Sequence, residues 1–158
     1  MQNLNYGVIG NCSTAALISE KGAIEWLCFP EFDSPSVFAA ILDRQKGGHF
    51  GFKVTSDYKV TQSYVPHTNI LSTHFESEEG AFDVVDFMPC YPTSDGKDFY
   101  RPAEIYRYIR WAKGRPRMKV DYRPAPNYAR GKTIYNVTSQ YVETCLLYTS
   151  PSPRDRTR

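Results

Sequence analysis

Apolar and polar residues alternate along most of this chain with a period of two, the spacing that puts successive side chains on opposite faces of an extended strand. Residues 15–19 and 24–29 form the first such pair. Between them Glu20-Lys21-Gly22-Ala23 reads as a tight turn whose glycine takes a positive φ. A regular strand over 24–29 places Ile24, Trp26 and Cys28 on one face and Glu25, Leu27 and Phe29 on the other. Both faces are largely apolar, so this strand is expected to be covered on both sides. Further strands are predicted over 49–55, 58–65, 69–76, 81–88, 104–112, 117–123 and 133–141. Glu78-Glu79-Gly80 is a turn, and 89–102 is a loop punctuated by Gly and Pro. One segment departs from this period. Val37, Phe38, Ile41 and Leu42 fall at helical spacing after a capping Asp33 or Ser34 and a Pro35 suited to a first turn, and Gly47-Gly48 supplies a stop. The pattern therefore predicts a mainly β fold, a β-sandwich of many short strands, with one short helix near 35–43.

Length and composition narrow this picture only a little. The chain has 158 residues, 41% hydrophobic and 23% charged, which is one ordinary globular domain. No apolar run approaches the roughly 20 residues of a membrane helix, and the start, residues 1–5, lacks the basic and apolar parts of a signal peptide. A cytoplasmic location without a membrane partner is the expectation. The formal net charge is +2, and Arg154, Arg156 and Arg158 against Asp155 account for all of it. The remainder is neutral, so the charge balance points to no nucleic-acid partner. Residues 145–158 show neither strand nor helix period. They resemble a translated sequencing-adapter read, so the domain is bounded at 1–144 and 145–158 is set aside as a non-native, disordered tail.

Candidate chemistry is sparse. Cys12, Cys28, Cys90 and Cys145 form no C-x-x-C pair and are expected to be free, buried thiols. His49, His67 and His74 are scattered without metal-ligand spacing, so no metal and no cofactor is expected. Gly7 and Gly10 are too few for a phosphate loop. Asp83 and Asp86, three apart on a strand, point to opposite faces and cannot share one proton-transfer site.

Five blocks then carry a resemblance: residues 6–18 (YGVIGNCSTAALI), 22–43 (GAIEWLCFPEFDSPSVFAAILD), 64–73 (YVPHTNILST), 86–89 (DFMP) and 123–130 (RPAPNYAR). In this order they resemble the amino-terminal domain of glycoside hydrolase family 15, trehalase and glucoamylase type, over about residues 3–143. Glu31 stands where Arg is also frequent, and His67 where an acidic residue is common. The resemblance implies a super-sandwich partnered by a helical (α/α) barrel that is missing here. Two barrel glutamates would hydrolyse an α-glucoside with inversion, held roughly 6.5–9.5 Å apart so that water fits between them. No residue of this chain is thereby assigned a catalytic role.

Some residues of these blocks are candidates for contact with the sugar. Trp26 could stack on a glucose face, or be a core tryptophan. Asp33 and Ser34 could line the pocket from a loop, or cap a helix. Asn127, Tyr128 and Arg130 are weaker candidates on a Pro-rich stretch that also reads as a turn. The 12 tyrosines fit strand faces. The partners implied are the barrel and, in the complete protein, an α-glucoside. The other class of reading, a stand-alone carbohydrate-binding module, requires an exposed aromatic platform on the sandwich.

Overall fold

The computed structural model describes residues 4–147 other than 56, and all fourteen of its elements are strands. β1 (Tyr6–Gly10), β2 (Ala15–Ser19), β3 (Ile24–Cys28), β4 (Ser36–Phe38), β5 (His49–Lys53) and β12 (Lys119–Arg123) build a six-stranded antiparallel sheet. Its order is β1-β2-β3-β5-β12, with β4 alongside β3. β6 (Lys59–Tyr64), β7 (Leu71–Glu76), β8 (Gly80–Phe87) and β11 (Tyr106–Gly114) build a four-stranded sheet of order β11-β8-β7-β6. Two hairpins complete the described residues: β9 (Tyr91–Pro92) with β10 (Phe99–Tyr100), and β13 (Lys132–Val137) with β14 (Val142–Leu147).

The two larger sheets bury their alternate residues against each other, which makes the sandwich. One core cluster joins Ile9, Ile18, Ile24, Leu27 and Phe38 of the first sheet to Leu71 of the second. The other packs Phe75, Phe82 and Val84 against Phe52 and Val54. Gly7 lets β1 cross β7, because a Cβ there would stand 2.5 Å from the Leu71 side chain. Gly22 closes the β2–β3 turn at φ 72°, as its position in the sequence requires.

The short helix expected near 35–43 does not form. Ser36 pairs with Cys28 and Phe38 with Leu27, and Ala39 and Ala40 donate their N–H groups to Gly47 and Gly48. These long-range bonds take the groups that an i→i−4 ladder would need. Of the apolar stripe Phe38 enters the core and Val37 packs against it, while Leu42 lies at the surface. A short apolar run fits either period, and here tertiary pairing decides.

The faces of β3 also differ from the regular alternation expected. Leu17 pairs with Trp26 but Ile18 with Ile24, so Glu25 is an extra, bulged residue. The bulge turns Ile24 and Leu27 to the same inner face and Trp26 outward. At the other end of the chain, β14 runs to Leu147, so the expected boundary at 144 falls inside a strand. The rest of the expected tail lies outside the described residues. The four cysteines are free thiols, but only Cys28 is buried as expected; Cys12, Cys90 and Cys145 are exposed.

The sandwich is not closed along its edge strands. Ile109 and Trp111 pair with the fully buried Val84 and Phe82, yet are 39% and 67% exposed. Val120 of β12, paired with Phe52 of β5, is 50% exposed. These are inward-pointing apolar side chains without a covering layer among the described residues.

Candidate functional site

The bulge in β3 carries Trp26 onto the outer face of the six-stranded sheet. There its ring lies 6.3 Å from that of Tyr128, tilted by 49°. Tyr128 comes from the turn that follows β12. Asn127, Tyr128 and Ala129 have φ of 53°, 55° and 58°, three consecutive left-handed residues without a glycine. Such a stretch costs about 1–2 kcal/mol per residue and persists only where its surroundings impose it. Ser36 imposes it here: its carbonyl accepts the Asn127 N–H at 2.8 Å, and its buried Oγ accepts the Tyr128 N–H at 3.1 Å. The Cys28 sulfur beside Tyr128 is the main cause that raises the tyrosine's pKa, with burial next.

Of the residues singled out in the sequence, Trp26, Asn127 and Tyr128 are thus gathered at one edge, with Arg130 exposed at the end of the turn. Asp33 and Ser34 lie on a different loop. Ser34 Oγ accepts the Glu31 N–H at 3.1 Å, a turn closure in place of the expected helix cap. Asp33 is exposed, and together with Ser13, Glu31 and Phe32 it lines a shallow depression.

A second feature of the same sheet was invisible in the sequence. Ala23, Ala40 and Gly51 form the low floor of an open groove of about 410 Å³. Lys21, Arg44, Lys53, His49 and Arg123 rise around it, with Glu25 and Asp121. Asp121 binds three side chains: His49 at 2.9 Å, Lys53 at 3.0 Å and Arg123 at 2.7 Å. Partial burial pushes its carboxyl up, but hydrogen bonds from His49, Lys53 and Arg123 together hold it far below the carboxylate range. A carboxyl depressed in the folded state stabilises the fold above its unfolded pKa, near 4, and that stability is lost as pH falls through the folded value. Asp121→Asn is therefore expected to lower stability at pH 7 and to flatten its decline below about pH 4. Denaturant midpoints measured from pH 2 to pH 7 check this, and parallel curves for the two proteins would contradict it.

On the outer face of the other sheet, Asp83 accepts from His74 at 2.6 Å and from Arg110 at 2.8 Å. Asp86 points inward, fully buried with Arg107, so the two aspartates do face opposite ways. Burial pushes Asp86 up, the direction a general acid needs, but no substrate reaches it there. Among the described residues no cluster of His, Cys, Asp and Glu is placed to hold a metal ion. No helix among them is long and apolar enough to cross a membrane, which leaves strand-built spans untouched.

The fold and these sites define a mainly β, two-sheet sandwich domain whose polar faces are held by ion pairs. Comparison with known proteins then gives the family. The family described as trehalase-like, N-terminal matches residues 5–145, and the chain belongs to it. It is 36% identical over 132 residues to a trehalase of Thermoplasma volcanium, covering 82% of this chain and 20% of that protein. It is 32% identical to Trehalase 2 of Sulfolobus acidocaldarius, over 96% of this chain and 23% of that protein. A trehalase of Mycolicibacterium smegmatis is 33% identical over 94% of this chain and 24% of its own length. The chain spans about a fifth of the length of the curated relatives it matches. No solved structure matches it.

Proposed function

We propose that this chain is the accessory sandwich of an inverting hydrolase of glycoside hydrolase family 15. α,α-Trehalose is the first substrate to consider and a terminal 1,4-linked glucose the second. The observation that carries this is the family match over residues 5–145 together with relatives named trehalases that are several times longer. In this reading the two catalytic glutamates belong to an (α/α) barrel outside the described residues, and that barrel is the sandwich's partner. Three of the acids already have structural roles: Asp83, Asp86 and Asp121 are each locked to an arginine, Arg110, Arg107 and Arg123 respectively. The edge formed by Trp26 and Tyr128, stiffened by the left-handed turn, is what the sandwich offers toward the sugar. Asp33 and Ser34 form a second, separate loop, and Arg130 the rim.

The test uses this chain and the intact parent protein. On trehalose and maltose the chain alone is expected to release no glucose. The parent is expected to release glucose and, from trehalose, to place half of it initially in the β-anomer, as inversion requires. Turnover by the chain alone would overturn the accessory role. Retention of configuration, or a parent inert on both sugars, would overturn the hydrolase reading.

A further inference from the structure

The outer face of the four-stranded sheet carries a row of aromatic side chains that the core does not use. Phe87 and Tyr106 are a cross-strand pair with rings 5.1 Å apart and within 7° of parallel. Tyr108, opposite Val85, is the next side chain on that face of β11 and is 62% exposed. Two residues along a strand are about 7 Å, so Tyr106 and Tyr108 can lie under one extended ligand. The β9–β10 hairpin leaves the sheet after Phe87 and returns at Tyr106. It adds the exposed rings of Tyr91 and Tyr100, 5.3 Å apart, at that end of the row.

Beyond Tyr108 the same face becomes polar. Asp83 sits between His74 and Arg110, and Glu76 binds Lys113. The Arg110 guanidinium uses Nε and Nη2 on Asp83, which leaves its Nη1 hydrogens directed elsewhere. Asp83 and Glu76 thus each have an opposite charge beside them, and the Glu104 carboxylate, which accepts the Tyr106 hydroxyl at 3.0 Å, adds an acceptor that repels an anion and can meet a sugar hydroxyl. Its exposed apolar surface is tyrosyl: rigid rings with a hydroxyl at the rim, which lose little entropy on binding and tolerate water when empty. Flat rings beside hydrogen-bonding donors and acceptors complement a neutral polyhydroxyl chain. Its C–H faces stack on the rings and its hydroxyls meet Arg110 and the tyrosine rims.

We propose that the outer face of β8 and β11, from Tyr106 through Tyr108 to Arg110, binds a neutral glucan chain, apart from the edge formed by Trp26 and Tyr128. The proposal rests on the hydrolase reading only for the choice of an α-linked sugar. Its surface is the aromatic platform that a carbohydrate-binding module requires.

Titration of the chain, and in parallel of the intact parent protein, with maltoheptaose tests it by calorimetry. Saturable binding is expected, weakened about tenfold by Tyr108→Ala and by Tyr106→Ala, about 1.4 kcal/mol each. Tyr141→Ala removes a comparably exposed tyrosine near the β13–β14 turn and is expected to change nothing. A sheet signal in circular dichroism accompanies each variant, and Tyr108, which stacks on no other ring, is the variant least able to disturb the fold. Absence of saturable binding in both proteins, or equal binding by all three variants, would overturn the proposal. So would protection of Tyr106 and Tyr108 from nitration in the intact parent without sugar, which would assign the face to a protein contact. Glucan binding with no hydrolysis by the parent would sink the hydrolase reading alone, and hydrolysis with no binding here would sink the platform alone.

Discussion

Arg107→Ala is expected to destabilise the fold by about 3–5 kcal/mol, a large share of the roughly 5–15 kcal/mol that holds a domain folded. The side chain of Arg107 is 3% exposed and that of Asp86 not at all. Arg107 donates to the Asp86 carboxylate at 2.7 Å from Nε and 3.1 Å from Nη2. It also donates to the carbonyls of Phe50 and Gly22, and its guanidinium lies 4.8 Å and 5.1 Å from the ring centres of Phe50 and Phe52. One side chain of β11 thus satisfies a carboxylate on its own sheet and two backbone acceptors on the other. Its removal leaves a buried charge and two bare carbonyls. Burial already raises the Asp86 pKa and Arg107 offsets part of that, so in the variant the carboxyl rises further and takes up a proton. A carboxyl raised in the folded state favours folding below its unfolded pKa and loses that contribution as pH rises through the folded value. The penalty should therefore be smaller near pH 4 than near pH 8. Urea denaturation at both pH values measures it, and a uniform loss below about 1 kcal/mol would contradict the argument. The double variant Arg107→Met with Asp86→Leu should recover the part of the loss due to the unpaired charge but not the part due to the bare carbonyls of Phe50 and Gly22.

Phe82→Ala should cost a similar amount, about 3–5 kcal/mol, by a different route. Phe82 is fully buried on β8 and stacks on Phe75 with ring centres 4.6 Å apart and planes within 3°. Phe52 and Tyr58 meet it edge-on at 6.4 Å and 6.1 Å. The cavity left by alanine is walled by these rings, which cannot collapse into it without giving up their own contacts. Phe82→Leu fills part of the space and should cost less. Both effects should appear in the denaturation midpoint with little change in slope, and a loss for Phe82→Ala below about 1 kcal/mol would show that the second core cluster repacks.

Local periodicity reports well on strands whose two faces meet different surroundings. Residues 15–19, 49–55, 69–76 and 81–88 are legible for this reason, and β2, β5, β7 and β8 lie within a residue or two of them. Gly22 is legible because its conformation is a local demand. β1 is short and glycine-flanked and shows no such pattern; it is a strand because β2 offers it a full antiparallel register, Tyr6↔Ser19 to Gly10↔Ala15. The sequence placed Trp26 on the face of Ile24, and the Glu25 bulge that separates them depends on how β2 and β3 meet.

The amino-acid sequence by itself determined that this is a strand-rich domain of the trehalase-like amino-terminal family, and that Asp83 and Asp86 point apart. Those properties follow from local alternation and from ordered blocks of residues. The tertiary structure alone decided that 36–38 is a strand, that Ser36 forces three left-handed residues under Tyr128, and that Asp121 collects His49, Lys53 and Arg123. It also decided that Phe87, Tyr106 and Tyr108 share one open face. Each of these joins residues from separate strands, and no local period records which strands become neighbours. That choice is made by burial and by backbone pairing over the whole chain.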